Sequence, residues 1–464
     1  MVGTVIISIS FITGPLSQTT QRFLSYEIGL GNKENVKIIF SQSVILYIIL
    51  CGILLVILET LGLWFLRHKL MIPPDKLNVT LIVYQCVIIS FIGVIARMPY
   101  DALIIAKEQM QFYAYISIID VIMRLAIVYV LLLFNNTSYL VLYGILTAIV
   151  SIIITIIYKV YCNKKYIESH IIFQINKSFL KEMGSLYGWN IFGALAVVST
   201  TQGISIVLNI FFGVIINAAM GITNQVGNAV NQFVSNFQVA FNPQIVKTYA
   251  KNEIAKLHLL IFRTCKLSFI LLLMIGYPLI KHMDYILTLW LGDKVPPYTP
   301  ILCSLLIISL LIDSFSAPLW MVIQATGKVR SYQLTISCVI LCNILFSYIF
   351  LHYGFSPYIT MIIRCFICLL CFGIRIFFLK HKIKFPLSQY IKHVILPVAI
   401  VTILSIILSI NIDNFITLSN KLLDILSSTI LFWIIITISS YYIIFSFNER
   451  NSIKSILLNF IKKR

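Results

Sequence analysis

The chain alternates long apolar runs with short polar breaks from one end to the other. A helix needs about 20 mostly apolar residues to cross the roughly 30 Å hydrocarbon core of a membrane. Thirteen runs meet that requirement, so each is predicted to be a spanning helix. The predicted spans, numbered 1 to 13, cover residues 2–24, 38–66, 79–106, 112–134, 138–158, 184–211, 213–241, 257–280, 297–325, 331–353, 357–379, 393–410 and 424–447.

The composition agrees with this pattern. Of the 464 residues, 59% are hydrophobic and only 11% are charged, which is too few charges to cover the surface of a soluble protein. The longest predicted loop, 159–183, leaves no room for a soluble domain. We therefore expect an all-α polytopic membrane protein.

The formal net charge of +19 is informative mainly because the basic residues are unevenly distributed between the two sides of the membrane. With the C-terminus inside, the predicted cytoplasmic loops and tail carry 22 Lys and Arg, whereas the opposite loops carry six. This asymmetry follows the positive-inside rule. It predicts a multi-pass protein of the bacterial cytoplasmic membrane with a cytoplasmic C-terminus, and it accounts for the basic charge without nucleic acid as a partner.

Two segments of the first half recur 219 positions later. RMPYDALIIAKEQMQFY (97–113) is echoed by SAPLWMVIQATGKVRSY (316–332), and NKENVK (32–37) is echoed by KNEIAK (251–256). The echoes keep their order, which indicates an internal duplication. Because the step is six helices, both halves have the same orientation, as in transporters built from parallel repeats.

The duplication also predicts the domain organisation. Span 6 has no partner before span 1, so we expect a complete design of 14 spans from which the first helix is missing here. The predicted parts are an N-terminal lobe at 1–161, a cytoplasmic linker at 162–183, a C-terminal lobe at 184–380, and two extra helices with a basic tail at 381–464.

Pro99 and Pro318 occupy matching positions in spans 3 and 9. Proline removes a backbone hydrogen bond and kinks a helix. Paired kinks would suit two lobes that bend about a central cavity, so both prolines are predicted hinges. The alternative is a kink without a mechanical role.

Charged side chains inside the spans are the first candidate site, because charge within a membrane is costly. Arg97 with Asp101, and Asp120 with Arg124, are spaced i,i+4 and could neutralise each other. Arg375 lies near a helix end and can snorkel, and Asp313 is a lone acid of the second half. The cations predicted to attract an anionic substrate are Arg22, Arg97, Arg124, Arg263, Lys266 and Arg364.

A polar stripe along span 7 is the second candidate site. Polar residues at 217, 224, 228, 231, 235, 238 and 242 follow steps of three and four and so share one helix face. The stripe could join helices together or line a water-filled cavity, and its length favours the cavity. Amides donate and accept hydrogen bonds, as sugar hydroxyls do. The predicted substrate-binding amides are Gln202, Asn224, Gln225, Asn228, Asn231 and Gln232.

Cys365, Cys368 and Cys371 form a C-x-x-C-x-x-C run that superficially resembles an iron–sulfur motif. Steps of three drift around a helix and do not converge on one cluster, so we interpret these cysteines as small apolar core residues. We expect neither a cofactor nor a bound metal, apart from a coupling ion, H+ or Na+.

Three stretches resemble bacterial polysaccharide exporters of the Wzx type, which belong to the multidrug/oligosaccharidyl-lipid/polysaccharide exporter superfamily together with the lipid II flippase. They are QRFLSYEIGLGN (21–32), RMPYDALIIAKEQMQFYAYISIIDV (97–121) and residues 188–250. The resemblance covers nearly the whole chain. It implies two six-helix lobes plus two helices, and flipping of undecaprenyl-pyrophosphate-linked oligosaccharide by alternating access for O-antigen or capsular polysaccharide synthesis. The missing first helix departs from that family.

Two other functions stay open. A multidrug/cation antiporter of the same superfamily would share the fold but should show unpaired acids where this chain shows unpaired bases. A membrane glycosyltransferase or polymerase usually carries catalytic residues on sizeable outer loops, and these loops are short, so no enzyme is predicted. The expected partners are a lipid-linked oligosaccharide, membrane lipids and other membrane proteins of polysaccharide assembly.

Overall fold

The computed structural model describes residues 12–69, 73, 76–133, 139–172, 176–413, 421–445 and 450, and within them it contains helices and no strand. Residues 2–11 of span 1 and nearly all of the basic tail lie outside this description. The long helices are α1 Thr13–Leu30, α2 Lys33–His68, α3 Leu77–Ala106, α4 Met110–Leu133, α5 Tyr139–Lys165, α6 and α7 within Lys177–Ala250, α8 Ile254–Lys281, α9 in two parts (Thr299–Ser314 and Ser316–Ala325), α10 Arg330–His352, α11 Ile359–Ile383, α12 Leu387–Ile412 and α13 Lys421–Ile444. A short helix, Met283–Leu291, follows α8 in a region that the sequence predicted to be a loop.

The predicted fold class is confirmed. Ten of the described helices are long and apolar enough to cross a membrane, and the two parts of α9 together form an eleventh such span. Lys177–Ala250 counts once among the ten although it covers predicted spans 6 and 7, and α1 covers the described part of span 1. The apolar runs therefore located the helices correctly.

Gly213 separates α6 (177–212) from α7 (214–250). Its backbone has φ 72° and ψ −163°, which a residue with a side chain rarely adopts. Ile204 and Met220 pack in the same apolar cluster and line the same cavity. Sixteen residues of straight helix would place them about 24 Å apart, so the chain turns back at Gly213.

The chain divides into two compact units. Unit 1 consists of Met1–Leu195, Val246–Asn252 and Gln324–Gln333, and unit 2 consists of Ala196–Ile245, Glu253–Ile323 and Leu334–Arg464. The domain boundaries drawn from the sequence repeat are a different division of the chain and stay a prediction.

A buried hydrogen-bond network holds the discontinuous segments of unit 1 together. Asn190 donates to the Thr19 hydroxyl at 2.7 Å and exchanges hydrogen bonds with the Gln324 amide at 2.7 and 3.2 Å. The side-chain amide of Gln333 donates to Oδ1 of Asn190 at 3.1 Å. Since buried amides are costly unless they are paired, these bonds fix the segment 324–333 beside α1 and α6.

The helix pairs α3–α5 and α9–α11 repeat one packing pattern. In unit 1, Ser151 donates to the Ser90 carbonyl and Cys162 donates to the Tyr100 carbonyl, across 61 and 62 residues of sequence. In unit 2, Cys365 donates to the Leu305 carbonyl across 60 residues. The nearly equal separations support the duplication inferred from the sequence.

The two matching prolines have different surroundings. The helix α3 runs through Pro99 without interruption, whereas α9 is bent by 43° at Phe315. Pro318 has no N–H to donate to the carbonyl of Ser314, four residues earlier. The Ser314 hydroxyl also donates to the Leu311 carbonyl at 2.7 Å, a local bond of the kind that bends helices. Both effects weaken the helix at this point, and the hinge role of the prolines stays a prediction.

Candidate functional site

One face of α11 carries two arginines and two cysteines. Arg364, Cys368, Cys371 and Arg375 follow steps of four, three and four, which align them along the helix. All four line a cavity of about 170 Å³ that lies entirely within unit 2, and we call it the α11 cavity.

Asp313 of α9 enters the same cavity. Its Oδ1 accepts from Nη1 of Arg375 at 2.8 Å, and the side chain of Arg375 is only 13% exposed while that of Asp313 is 50% exposed. Two expectations were therefore wrong: Asp313 is not a lone acid, and Arg375 does not simply snorkel. Their partnership spans 62 residues, so no helical spacing could show it.

The rest of the cavity wall is apolar with a few hydroxyl and amide groups. Thr200 donates to the carbonyls of Ala196 and Ile340 at 2.8 and 3.3 Å, which commits its hydroxyl to the backbone. The wall is completed by Val197, Thr200, Thr201, Ile204, Met220, Ile340, Asn343 and Ile367. The apolar side chains of this wall lower the local dielectric constant, which strengthens electrostatic attraction inside the cavity.

Arg364 is the cation with unused binding capacity in the α11 cavity. It is partly buried, and within the described part of the chain it makes no hydrogen bond or ion pair. A guanidinium carries five donors in a planar fork that matches carboxylate and phosphate oxygens. With Arg375 neutralised by Asp313, the cavity keeps one net positive charge, and this arrangement can bind an anion.

Helix α7 has a buried apolar face and a polar face that carries the stripe. Gly227, Val230 and Val234 are buried, and the two valines belong to the apolar core of unit 2. Asn228 and Asn231 on the stripe are exposed, as are Gln225 and Gln232, while Asn224 is intermediate.

Two hydrogen bonds of the stripe stay within α7: Gln232 donates to Asn236 at 3.4 Å, and Ser235 donates to the Gln232 carbonyl at 3.1 Å. Exposed amides are costly in lipid, and bonds within one helix do not join two helices. This placement favours a wet surface over the alternative of packing between helices. Neither the stripe amides nor the exposed Gln202 line the α11 cavity.

Two further predicted cations of unit 2 lie on α8, away from the α11 cavity. Lys266 is 7% exposed, and its Nζ donates to the carbonyl of Ile444 in α13 at 3.2 Å. Arg263 is exposed and has interactions of its own. Lys266 therefore joins α8 to the last described helix.

Arg22 in unit 1 is buried. Its Nε and Nη2 donate to the carbonyls of Gln324 and Ala325 at 3.2 and 2.7 Å, and its guanidinium lies over the Phe23 ring at 4.7 Å. Backbone carbonyls and an aromatic ring of the protein itself therefore hold the Arg22 guanidinium, and in this structure Arg22 has a structural role.

The two predicted i,i+4 pairs of unit 1 differ. Arg124 and Asp120 form an ion pair at 3.0 Å, with the arginine side chain 50% exposed. The guanidinium of Arg97 instead lies 5.2 Å above the Tyr158 ring, and Oδ1 of the nearby Asp101 has no hydrogen-bond partner among the described residues. The ion pair between Asp120 and Arg124 forms as expected, whereas Arg97 and Asp101 form no ion pair in this structure.

Sequence reasoning missed Arg375 and Asn343 as cavity residues. The 4–3–4 spacing from Arg364 to Arg375 was a usable signal, because it places both arginines on one face. Asn343 gave no comparable signal. The cysteines of the described chain are free, and no group of three or more metal-ligating side chains was found there.

Neither a known family model nor a curated protein sequence matches this chain. Solved structures do. A MATE protein in complex with MaL6 matches with a TM-score of 0.73 at 13% identity, over 82% of this chain and 86% of the other. A multidrug resistance MATE transporter of the MOP superfamily, in an outward-facing conformation, gives a TM-score of 0.72 at 13% identity with the same coverage.

A third match is a MOP superfamily transporter from Pyrococcus furiosus, with a TM-score of 0.69 at 14% identity over 83% of this chain and 86% of the other. It is described as having a binding pocket of reverse polarity that suggests a different function. At these identities the matches establish the fold, which is that of the MATE transporters.

Proposed function

We propose that this protein is a membrane transporter, not an enzyme, that moves an anionic amphiphile across the bacterial cytoplasmic membrane by alternating access. The proposed substrate is an oligosaccharide linked to undecaprenyl pyrophosphate. The observation that carries the proposal is Arg364, a partly buried guanidinium without a hydrogen-bond or ion-pair partner among the described residues. A coupling ion, H+ or Na+, would complete the cycle.

Charge and hydrogen bonding support this substrate class separately. Arginine can hold a phosphate through two parallel bonds, and such charge-assisted bonds are stronger than neutral ones. The exposed amides of α7 offer donors and acceptors for sugar hydroxyls. A lipid-linked sugar pyrophosphate needs both kinds of contact.

A multidrug/cation antiporter is the second candidate, and two observations favour it. The solved structures that match are MATE proteins, one of them described as a multidrug resistance transporter. Asp313 is also half exposed despite its ion pair, so its carboxylate could receive a cation. The description of the Pyrococcus furiosus protein connects pocket polarity with function, so the sign of the cavity charge is the property to test.

Two charge-removing variants, one at each charged residue, separate the candidates. If the substrate is anionic, Arg364→Gln should reduce polysaccharide export at least tenfold, because hydrogen bonds to charged groups contribute about 1.5–3 kcal/mol. Asp313→Asn should then leave export largely intact. Export would be measured as surface polysaccharide in a flippase-deficient strain at matched protein levels, with the exposed Lys251→Gln as the control.

The reverse result identifies the antiporter. In that case Asp313→Asn abolishes resistance to cationic drugs, and Arg364→Gln keeps it. Normal export by the Arg364→Gln variant would reject the anionic substrate.

A further inference from the structure

A second cavity, of about 550 Å³, lies entirely within unit 1, where two long helices begin. Its walls come from the first turns of α6 and from the segment that leads into α10. We call it the loop pocket. The positive ends of both helix dipoles favour negative charge nearby, although the Asn176 side chain already accepts from the first N–H groups of α6. The pocket is lined by Ser178, Lys181, Glu182, Ser185, Leu186, Trp189, Gly327, Lys328, Val329, Arg330 and Ser331.

Three cations and one carboxylate line this pocket, and the carboxylate lies near a further cation, the buried Arg22. A Cβ atom placed on Gly327 would meet Nη2 of Arg22 at 3.0 Å and Oε1 of Glu182 at 3.6 Å. The charge of Glu182 therefore lies beside the buried Arg22 guanidinium. Gly327, at φ +72°, leaves room for this arrangement. Lys181, Lys328 and Arg330 outnumber the single carboxylate of Glu182, so the lining side chains carry a net positive charge.

The pocket also has an amphipathic side. The guanidinium of Arg330 stacks 5.4 Å above the ring of Trp189. Tryptophan is enriched at the boundary between lipid and water. Leu186 and Val329 add apolar surface, and the lining serines add hydroxyl donors. A headgroup that carries a phosphate above an acyl chain would match this combination.

We propose that the loop pocket binds the phosphate of an anionic phospholipid. The loops around it are those that the charge pattern predicts to be cytoplasmic, and basic pockets between spanning helices on that side suit anionic headgroups. A membrane lipid reaches the pocket by lateral diffusion along the helices that form it. This site is separate from the α11 cavity and does not depend on the transported substrate.

The test uses the full-length, delipidated protein in detergent. Phosphatidylglycerol is titrated against it, and bound lipid is counted by native mass spectrometry. Lys181→Ala/Lys328→Ala/Arg330→Ala should weaken binding of this lipid at least tenfold relative to the unchanged protein. The matched control Lys251→Ala/Lys256→Ala/Lys380→Ala removes the same charge from exposed positions outside the pocket, and it should bind normally. Phosphatidylcholine should bind weakly to all three proteins.

Three results would overturn the proposal. Equal weakening in both triple variants would mean diffuse attraction to net charge. Unchanged binding in the pocket variant would reject the site. Competition by inorganic phosphate or glycerol phosphate at the concentrations at which the lipid binds would assign the pocket to a soluble anion. If the triple variant does not purify as a monodisperse protein, Lys181→Gln and Arg330→Gln are tested singly against Lys251→Gln, and each should lower lipid affinity measurably.

Discussion

The helix pairs α3–α5 and α9–α11 occupy matching places in the duplicated sequence, yet one is closely packed and the other holds a cavity. In the first pair, Ser151 and Thr155 donate to the carbonyls of Ser90 and Gly93 at 2.9 and 3.0 Å. A Cβ atom on Gly93 would come within 2.8 Å of the Ser151 hydroxyl oxygen. A glycine and two hydroxyl groups therefore allow α3 and α5 to pack closely.

The same positions in the second pair carry different residues. At the repeat offset of 219, Gly93 corresponds to Ile312, and Ser151 and Thr155 correspond to Leu370 and Ile374. Larger apolar groups replace the glycine and hydroxyls, α9 is bent by 43°, and Asp313 reaches Arg375 beside the α11 cavity. Of two helix pairs at matching places in the repeat, α3–α5 therefore keeps a close contact, whereas α9–α11 lacks it and lies beside a charged cavity.

The largest loss of stability is expected when Gly93 of the closely packed α3–α5 pair is replaced by isoleucine, the residue at the matching position in α9. Gly93→Ile should destabilise the protein by about 3 kcal/mol, because it overpacks the contact and displaces the two hydroxyl–carbonyl bonds. Thermal unfolding of the purified protein would measure the loss. Gly52→Ile is the matched control, because no atom lies within 4 Å of a Cβ placed on that helical glycine. Equal losses in the two variants would mean that the contact at Gly93 is not special.

A smaller effect is expected at the prolines. Pro318→Ala restores an N–H that can donate to the Ser314 carbonyl, so backbone hydrogen exchange around residues 311–320 should slow several-fold. Pro99→Ala should leave exchange around residues 92–103 nearly unchanged, because α3 is already uninterrupted. Exchange measured by mass spectrometry on both variants decides the matter. Unchanged exchange in Pro318→Ala would assign the bend to the serines rather than to the proline.

The smallest loss of stability is expected at an ion pair beside α3 and α5 that has no equivalent at the matching positions of the second half. Lys107, after α3, contacts Glu168, after α5, at 2.8 Å, whereas the repeat places Thr326 and Leu387 there in the second half. Burial raises the pKa of Glu168, but the hydrogen bond and charge of Lys107 and a weaker contribution from Lys33 outweigh it and hold the pKa below its ordinary value.

A lowered carboxylate pKa gives stability that is present above the unfolded value, near 4.3, and is lost as pH falls through the folded value. Glu168→Gln should therefore cost below about 1 kcal/mol at pH 7, and this cost should shrink as pH falls below about 4.3. Thermal unfolding between pH 3 and 7 would check this, with Glu253→Gln in an exposed pair as the control. A difference between the variants that is as large at the lowest pH as at pH 7 would contradict the electrostatic explanation.

The sequence located the helices because the length of an apolar run is a local property. It could not place the bend of α9, because Pro99 and Pro318 look alike in the sequence and only one interrupts its helix. The difference lies in the neighbouring residues: Ser314 bonds back to the preceding turn, whereas α3 has no serine before its proline at the matching position, where Ile95 stands. The turn at Gly213 fell where the boundary between spans 6 and 7 was predicted.

The candidate site was only partly visible in the sequence. Arg364 and Asp313 stood out because each lacks a counter-charge at helical spacing. Arg375 was discounted because it lies near a helix end, and its acid could not be seen because it lies on another helix 62 residues away. The Asn190 network likewise joins residues more than 130 positions apart. Periodicity detects neighbours on one helix, but contacts between helices depend on how the chain folds back.

The contact between Lys266 and Ile444 has a consequence for how the protein is made. The lysine is buried in α8, and its carbonyl acceptor lies 178 residues later in the chain. A ribosome that adds about 5–20 residues per second needs roughly 9–36 s to cover that distance. During this interval the ammonium group cannot yet reach that acceptor, so α8 must be accommodated by the insertion machinery or by earlier helices until the last described helix arrives.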